Sequence, residues 1–182
     1  MFFKSALAIA TSSFTLIACA AGSGDALMFS QDKLPDAVKV PAGNMVAMET
    51  VGVGEITWQC RADKDMAGKY AWAFAGPDAK LLDRSGKQVG KYYGPPATWE
   101  SMDGSKFDGK QLAVAPGGEG NIPFQLVKAN PAMGTGAMTG VTYVQRSATK
   151  GGVAPKSDCG AANVDAKVIV KYQADYVFYK AS

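Results

Sequence analysis

Residues 167–179 read KVIVKYQADYVFY, and this stretch decides the fold. Its even positions are Val168, Val170, Tyr172, Ala174, Tyr176 and Phe178, all apolar or aromatic. Its odd positions are Lys167, Ile169, Lys171, Gln173, Asp175, Val177 and Tyr179, of which four are polar or charged. Alternation with period two marks a β-strand, because successive side chains leave a strand on opposite faces. A run this long exceeds an ordinary strand, so it either bends near Ala174 or crosses a closed sheet at a tilt. A long strand left at an open edge is an aggregation hazard, which places this one between neighbours.

Working outward, the same logic marks further strands. Residues 55–61 alternate Ile56, Trp58 and Cys60 against Thr57, Gln59 and Arg61, with the cysteine pointing inward. Residues 69–75 set Tyr70, Trp72 and Phe74 on one face. Shorter candidates lie at 45–53, 88–93, 98–102, 106–114, 124–128 and 138–146. Turn signals separate them: Asp83-Arg84-Ser85-Gly86, the proline pair Pro95-Pro96, Asp103-Gly104-Ser105, and a Gly-rich loop at 116–121. Residues 149–160 read as a long loop ending at Cys159. No stretch after residue 26 sustains a 3.6-residue apolar period. The expected fold is a single all-β domain, an antiparallel sandwich or barrel of roughly eight to ten strands.

Composition narrows the function. The chain has 182 residues, 47% hydrophobic and 19% charged, with a net charge of +3 and no histidine. Missing histidine removes the commonest general base and the commonest zinc ligand. The charge is too small and too scattered for a nucleic-acid surface. Gly52-Val53-Gly54 lacks the third glycine and the following helix of a dinucleotide loop, so a dehydrogenase has no support. Asp63-Lys64-Asp65 fails as an EF-hand, since its later ligand positions fall on Ala67 and Phe74. No cofactor and no metal site is expected.

The N-terminus reads as an export signal over 1–20, with Lys4 as the basic region and 5–18 as the apolar core. That core is too short to span a membrane. Leu16-Ile17-Ala18-Cys19 matches a lipobox, in which Cys19 is acylated and anchors the protein to a membrane. Ala18-Cys19-Ala20 also fits ordinary cleavage after Ala20. The expectation is an exported protein, a periplasmic or outer-membrane lipoprotein, with 21–43 as tether and lead-in and 44–182 as the β domain. Three cysteines are present. With Cys19 lipidated or removed, Cys60 and Cys159 remain, either as a disulfide favoured by an oxidising compartment or as two free thiols. A disulfide closing a loop of about 100 residues contributes roughly 4–5 kcal/mol on a chain-entropy model.

Several motifs together resemble the DUF3455 family. They are Cys60 with Tyr70-Ala71-Trp72-Ala73-Phe74; Gly76-Pro77-Asp78-Ala79-Lys80-Leu81; Thr98-Trp99-Glu100 with Asp103-Gly104-Ser105 and Gly109-Lys110; and Val141-Thr142-Tyr143-Val144-Gln145-Arg146 with Gly151-Gly152-Val153-Ala154-Pro155, Cys159 and Ala174-Asp175-Tyr176-Val177-Phe178-Tyr179. The resemblance runs from about Ala47 to Tyr179. It implies an exported, β-rich domain with no assigned activity. Relatives often carry a histidine where this chain has Tyr92.

Candidate chemistry centres on 92–105. Glu100 and Asp103 beside Trp99 give two carboxylates and an aromatic platform, the elements of a glycosidase-like site; the plainer reading is a packed tryptophan, a solvated Glu100 and a turn. Gln145 and Arg146 offer a ligand contact and a carboxylate clamp, or a structural ion pair to Asp78, Glu100 or Asp103. Tyr92, Tyr93 and Trp99 around Pro95-Pro96 suggest an aromatic ligand surface, or core packing. The leading functional expectation is a non-catalytic envelope protein that binds a small molecule or an envelope protein partner. The alternative is a hydrolase using Glu100, Asp103 and Arg146 beside Trp99.

Overall fold

A computed structural model describes residues 29–182. The export signal, the lipidation of Cys19 and the start of the 21–43 lead-in lie outside the described residues. Eight strands follow: β1 (Asn44–Ala62), β2 (Tyr70–Leu82), β3 (Gln88–Tyr93), β4 (Thr98–Ser101), β5 (Lys106–Ala115), β6 (Phe124–Ala129), β7 (Val141–Gly151) and β8 (Lys167–Ala181). Each pairs antiparallel with the next, and β8 pairs with β1, which closes the sheet into an up-and-down barrel. The all-β single domain is as expected, and of the two architectures weighed it is the barrel.

Three departures from the sequence reading have physical causes. First, residues 45–53 and 55–61 form one strand of 19 residues. Gly52 and Gly54 are interior positions of that strand and not a break in it. A Cβ on Gly52 would lie 2.4 Å from the Tyr176 ring, and one on Gly54 would lie 2.1 Å from the Asp78 carbonyl. Glycine is needed there for close approach, and it erases the alternation that reveals a strand. Second, β2 continues through Gly76-Pro77 to Leu82. The register steps from Thr57↔Gly76 to Trp58↔Phe74, so Ala75 is absorbed as a bulge. Third, β7 starts at Val141 and runs on to Gly151 through a register shift between Ser147 and Lys150.

An eight-stranded barrel leaves room inside for side chains and little else. Here the filling is aromatic. Tyr92, Trp99 and Phe107 stack in sequence, with centroids 4.6 Å and 5.4 Å apart. Tyr176 sits 5.1 Å from Tyr92, and Phe178 meets Phe107 edge-on at 6.1 Å. The outward residues Val177 and Tyr179 are buried too, under the lead-in segment that carries Val38 and Val40. Gln31 pins this strap by a reciprocal pair of bonds to Val40, accepting from its N–H at 2.7 Å and donating to its carbonyl at 3.0 Å. Residues 176–179 of β8 are thus buried on both faces, as their near-continuous apolar run requires, while Lys167, Ile169 and Lys171 at its start stay exposed.

Both ends of the barrel are covered. At one end the 130–140 connection drops Met138 into the core. At the other, β1 and β2 project as a hairpin, and the 152–166 loop folds against it. The Cys60–Cys159 disulfide fastens that loop, with Trp58 and Trp72 donating their indole N–H groups to the carbonyls of Gly152 and Ser157.

The glycine contacts yield a measurable consequence. Gly54→Ala forces β1 away from the β2 backbone and lowers stability by about 2–3 kcal/mol, read from urea unfolding. Gly160→Ala, where a Cβ meets nothing within 4 Å, changes it by less than about 0.5 kcal/mol.

Candidate functional site

The outer faces of β8, β1, β2 and β3 carry a belt of charged side chains. Outward side chains include Glu55 and Thr57 on β1, Asp78 and Lys80 on β2, Lys91 and Tyr93 on β3, and Lys167 and Lys171 on β8. Register places Glu55 opposite Asp78, and Lys80 opposite Lys91. Like charges directly opposite destabilise a sheet. Lys171 stands opposite Glu55 across the β1–β8 ladder, and Glu100 on β4 pairs with Lys91 at 3.2 Å and with Lys106 at 3.9 Å. Among the described residues, Glu55, Asp78, Lys80, Lys167 and Lys171 take part in no ion pair.

A cleft of about 620 Å³ opens on this face. Its walls are Thr57 and Ala75–Asp78 of the projecting hairpin, Lys91 and Tyr93 of β3, the Gly94-Pro95 corner, and Lys167 at the start of β8. The corner contains two cis peptide bonds, Gly94-Pro95 and Pro95-Pro96. It comes so near β2 that a Cβ on Gly76 would lie 2.1 Å from the Gly94 carbonyl. A second cleft of about 420 Å³ adjoins it, bounded by Glu55, Lys80 and Lys171, and Asp78 borders both. Tyr93 is held upright by its hydroxyl, which donates to Glu100 Oε2 at 2.6 Å, and Lys91 Nζ stands 5.1 Å from its ring centroid. The Tyr93 bond and the two lysines hold the Glu100 carboxyl below the usual carboxylate range.

The residues singled out from the sequence are dispersed. Trp99 and Tyr92 do meet, but inside the barrel, where they are 1% and 4% exposed. Burial pushes the Tyr92 phenol up. The aromatic surface is therefore core, and only Tyr93 faces outward. Glu100 leaves β4 on the face opposite Trp99. Asp103 anchors the end cap: it accepts from the Ser105 hydroxyl at 2.6 Å, the Ser105 N–H at 2.9 Å and the Ala137 N–H at 2.8 Å. Ser105 Oγ in turn accepts from the Met138 N–H at 3.1 Å. Arg146 donates Nε and Nη2 to the Pro123 carbonyl, at 3.1 Å and 2.9 Å, and forms none of the expected ion pairs to Asp78, Glu100 or Asp103. Gln145 is wholly buried under the strap, donating to the Val38 carbonyl at 2.6 Å and accepting from the Tyr179 hydroxyl at 3.0 Å. Among the described residues no cluster of three metal-ligating side chains occurs.

Asp78, Lys91 and Lys167 were missed as site residues. Their meeting depends on strand register, and no local motif marks it. The one available signal was Gly76-Pro77 next to Asp78, a strand irregularity of the kind that accompanies sites.

The profile of the family described as "Protein of unknown function (DUF3455)" matches residues 41–180. The chain belongs to this family. No curated protein and no solved structure gives a significant match. Within DUF3455, then, the resemblance drawn from the motifs is correct, and their placement can be read here: Asp103-Gly104-Ser105 holds the end cap, Gly76-Pro77-Asp78 builds the cleft wall, and Cys60 and Cys159 are joined.

The Asp103 anchor has a pH signature. Three donors pull its carboxyl down to about 2, the Ser105 hydroxyl contributing most. A depressed folded pKa gives stability that is complete above the ordinary value of 3.8 and is lost as pH falls toward about 2. Asp103→Asn is expected to lower Tm at pH 6, and the gap to wild type should narrow between pH 4 and 2 in a melting series.

Proposed function

We propose that this DUF3455 protein is an exported, non-catalytic binding module whose recognition surface is the outer cleft between the β1–β2 hairpin and the Gly94-Pro95 corner. One observation carries the reading: Asp78 and Lys167, charged and without ion-pair partners, face an open cleft of about 620 Å³. Clefts of this size with a few convergent polar groups are where small molecules bind. The hydrolase alternative draws no support from placement, since Glu100, Asp103 and Arg146 point to different partners.

Export is part of the proposal. A disulfide persists in an oxidising compartment, and 1–20 carries the pattern of a signal segment. The protein is then either anchored through an acylated Cys19 or released by cleavage after Ala20. Mass spectrometry of the protein taken from its own cells distinguishes the two, and a chain retaining Met1 would sink the export claim.

The binding claim is tested by a fragment library screened by amide chemical-shift mapping. Hits should perturb 75–78, 91–95 and 167 together. Hits confined to other surfaces, or a hydrolytic activity abolished by Glu100→Gln, would overturn it.

A further inference from the structure

The chemistry of the cleft narrows the ligand, on the reading that this cleft is the binding surface. Two ammonium groups, Lys91 and Lys167, border it from β3 and β8. Lys167 has no carboxylate partner among the described residues. The adjoining cleft sets Lys80 and Lys171 beside the carboxylates Glu55 and Asp78, with Glu55 opposite Lys171 across the β1–β8 ladder, so the cation left unbalanced is Lys167. Lys80 faces Lys91 across the β2–β3 ladder, and Glu100 pairs with Lys91 at 3.2 Å from β4. Anionic charge is thus the first requirement. The second is a flat, partly apolar body: the Tyr93 ring and the pyrrolidine ring of Pro95 supply apolar walls, and an aromatic face suits the C–H face of a sugar ring. The third is hydroxyl groups, because Asp78 is an acceptor-only carboxylate set between cations, and Thr57 is a hydroxyl beside it. A simple inorganic anion uses the lysines and neglects Asp78, Thr57 and the apolar walls.

We propose that the cleft binds an acidic saccharide, a sugar ring bearing a carboxylate. Its carboxylate lies between Lys91 and Lys167, its hydroxyls face Asp78 and Thr57, and its apolar face lies on Tyr93 and Pro95. The second cleft continues the groove across Asp78, so a polymer end has a place for its next acidic residue near Lys80 and Lys171.

Titration calorimetry at low salt tests this with glucuronic acid, a galacturonate tetramer, glucose, acetate and inorganic phosphate as probes. Glucuronic acid should bind saturably, with glucose and acetate at least about tenfold weaker, the worth of one charge-assisted bond. Lys167→Met should weaken it about tenfold, and Asp78→Asn should narrow the preference for glucuronic acid over acetate, since acetate loses no hydrogen bond and is relieved of a nearby negative charge. Both residues are exposed, so both variants should fold, and a wild-type Tm checks this. A tetramer binding more tightly than the monomer supports a polymer end as the source; equal binding supports the free sugar acid. Equal binding of acetate, phosphate and glucuronic acid overturns the saccharide. So does absence of saturable binding by either sugar acid. If fragments of other chemistry still map to the cleft in that case, the site stands and only its ligand class falls. Unchanged affinity in Lys167→Met removes the cleft itself.

Discussion

The pairing of β8 with β1 governs everything else in this structure. It runs from Asn44↔Ala181 to Gln59↔Lys167, with one shift near Val46, and it turns an open sheet into a barrel. Closure fixes the interior volume, and the aromatic stack then fills it. Where the fill is too bulky for the wall, the wall loses its side chains, as at Gly52 beneath Tyr176. Closure also removes the exposed edges that would otherwise recruit other chains. The strap then adds a second apolar layer over Val177 and Tyr179, so the C-terminal half of the strand that closes the barrel is buried from both sides.

That division of labour explains the outer face. Burial inside supplies the stability, and the belt over β8, β1, β2 and β3 is left to carry charge in pairings that local stability alone would disfavour. Elsewhere the acids are settled into structural tasks. Arg84 bridges Glu49 and Asp175 at 2.8 Å and 3.1 Å, tying β1 to β8. Glu100 sits between two lysines, and Asp103 holds a cap. Asp78 and Lys167, by contrast, make no ion pair among the described residues and border an open cleft.

The β8 strand, the disulfide pair and the all-β class were legible because each rests on a local pattern or a simple count. The barrel was legible as one of two options, since a long alternating strand fits a tilted wall. Glycine hid the continuity of β1, and a bulge at Ala75 hid the length of β2. Gln145 and Arg146 looked like ligand contacts because polar residues late in a strand often are. What covers Gln145 is the strap, whose residues 29–40 show no period at all, and what engages Arg146 is a backbone carbonyl, which no sequence displays. Asp78, Lys91 and Lys167 lie far apart in the chain, and register alone brings them together.

The order in which the barrel assembles follows from its connectivity. Every neighbouring pair except β1–β8 joins strands consecutive in the chain, so those hairpins close over loops far shorter than the separation across the seam. The seam must wait for residues more than a hundred positions apart to find each other, the slow kind of contact. Cys60 lies at one end of that seam, where its N–H meets the Ala166 carbonyl at 2.9 Å. Oxidation with Cys159 before the seam forms would bring the two strands together there, and the remaining pairs would zip in one direction, from Gln59↔Lys167 toward Asn44↔Ala181. In a reducing medium the same seam has no such starting point, and the unclosed sheet keeps two free edges for longer.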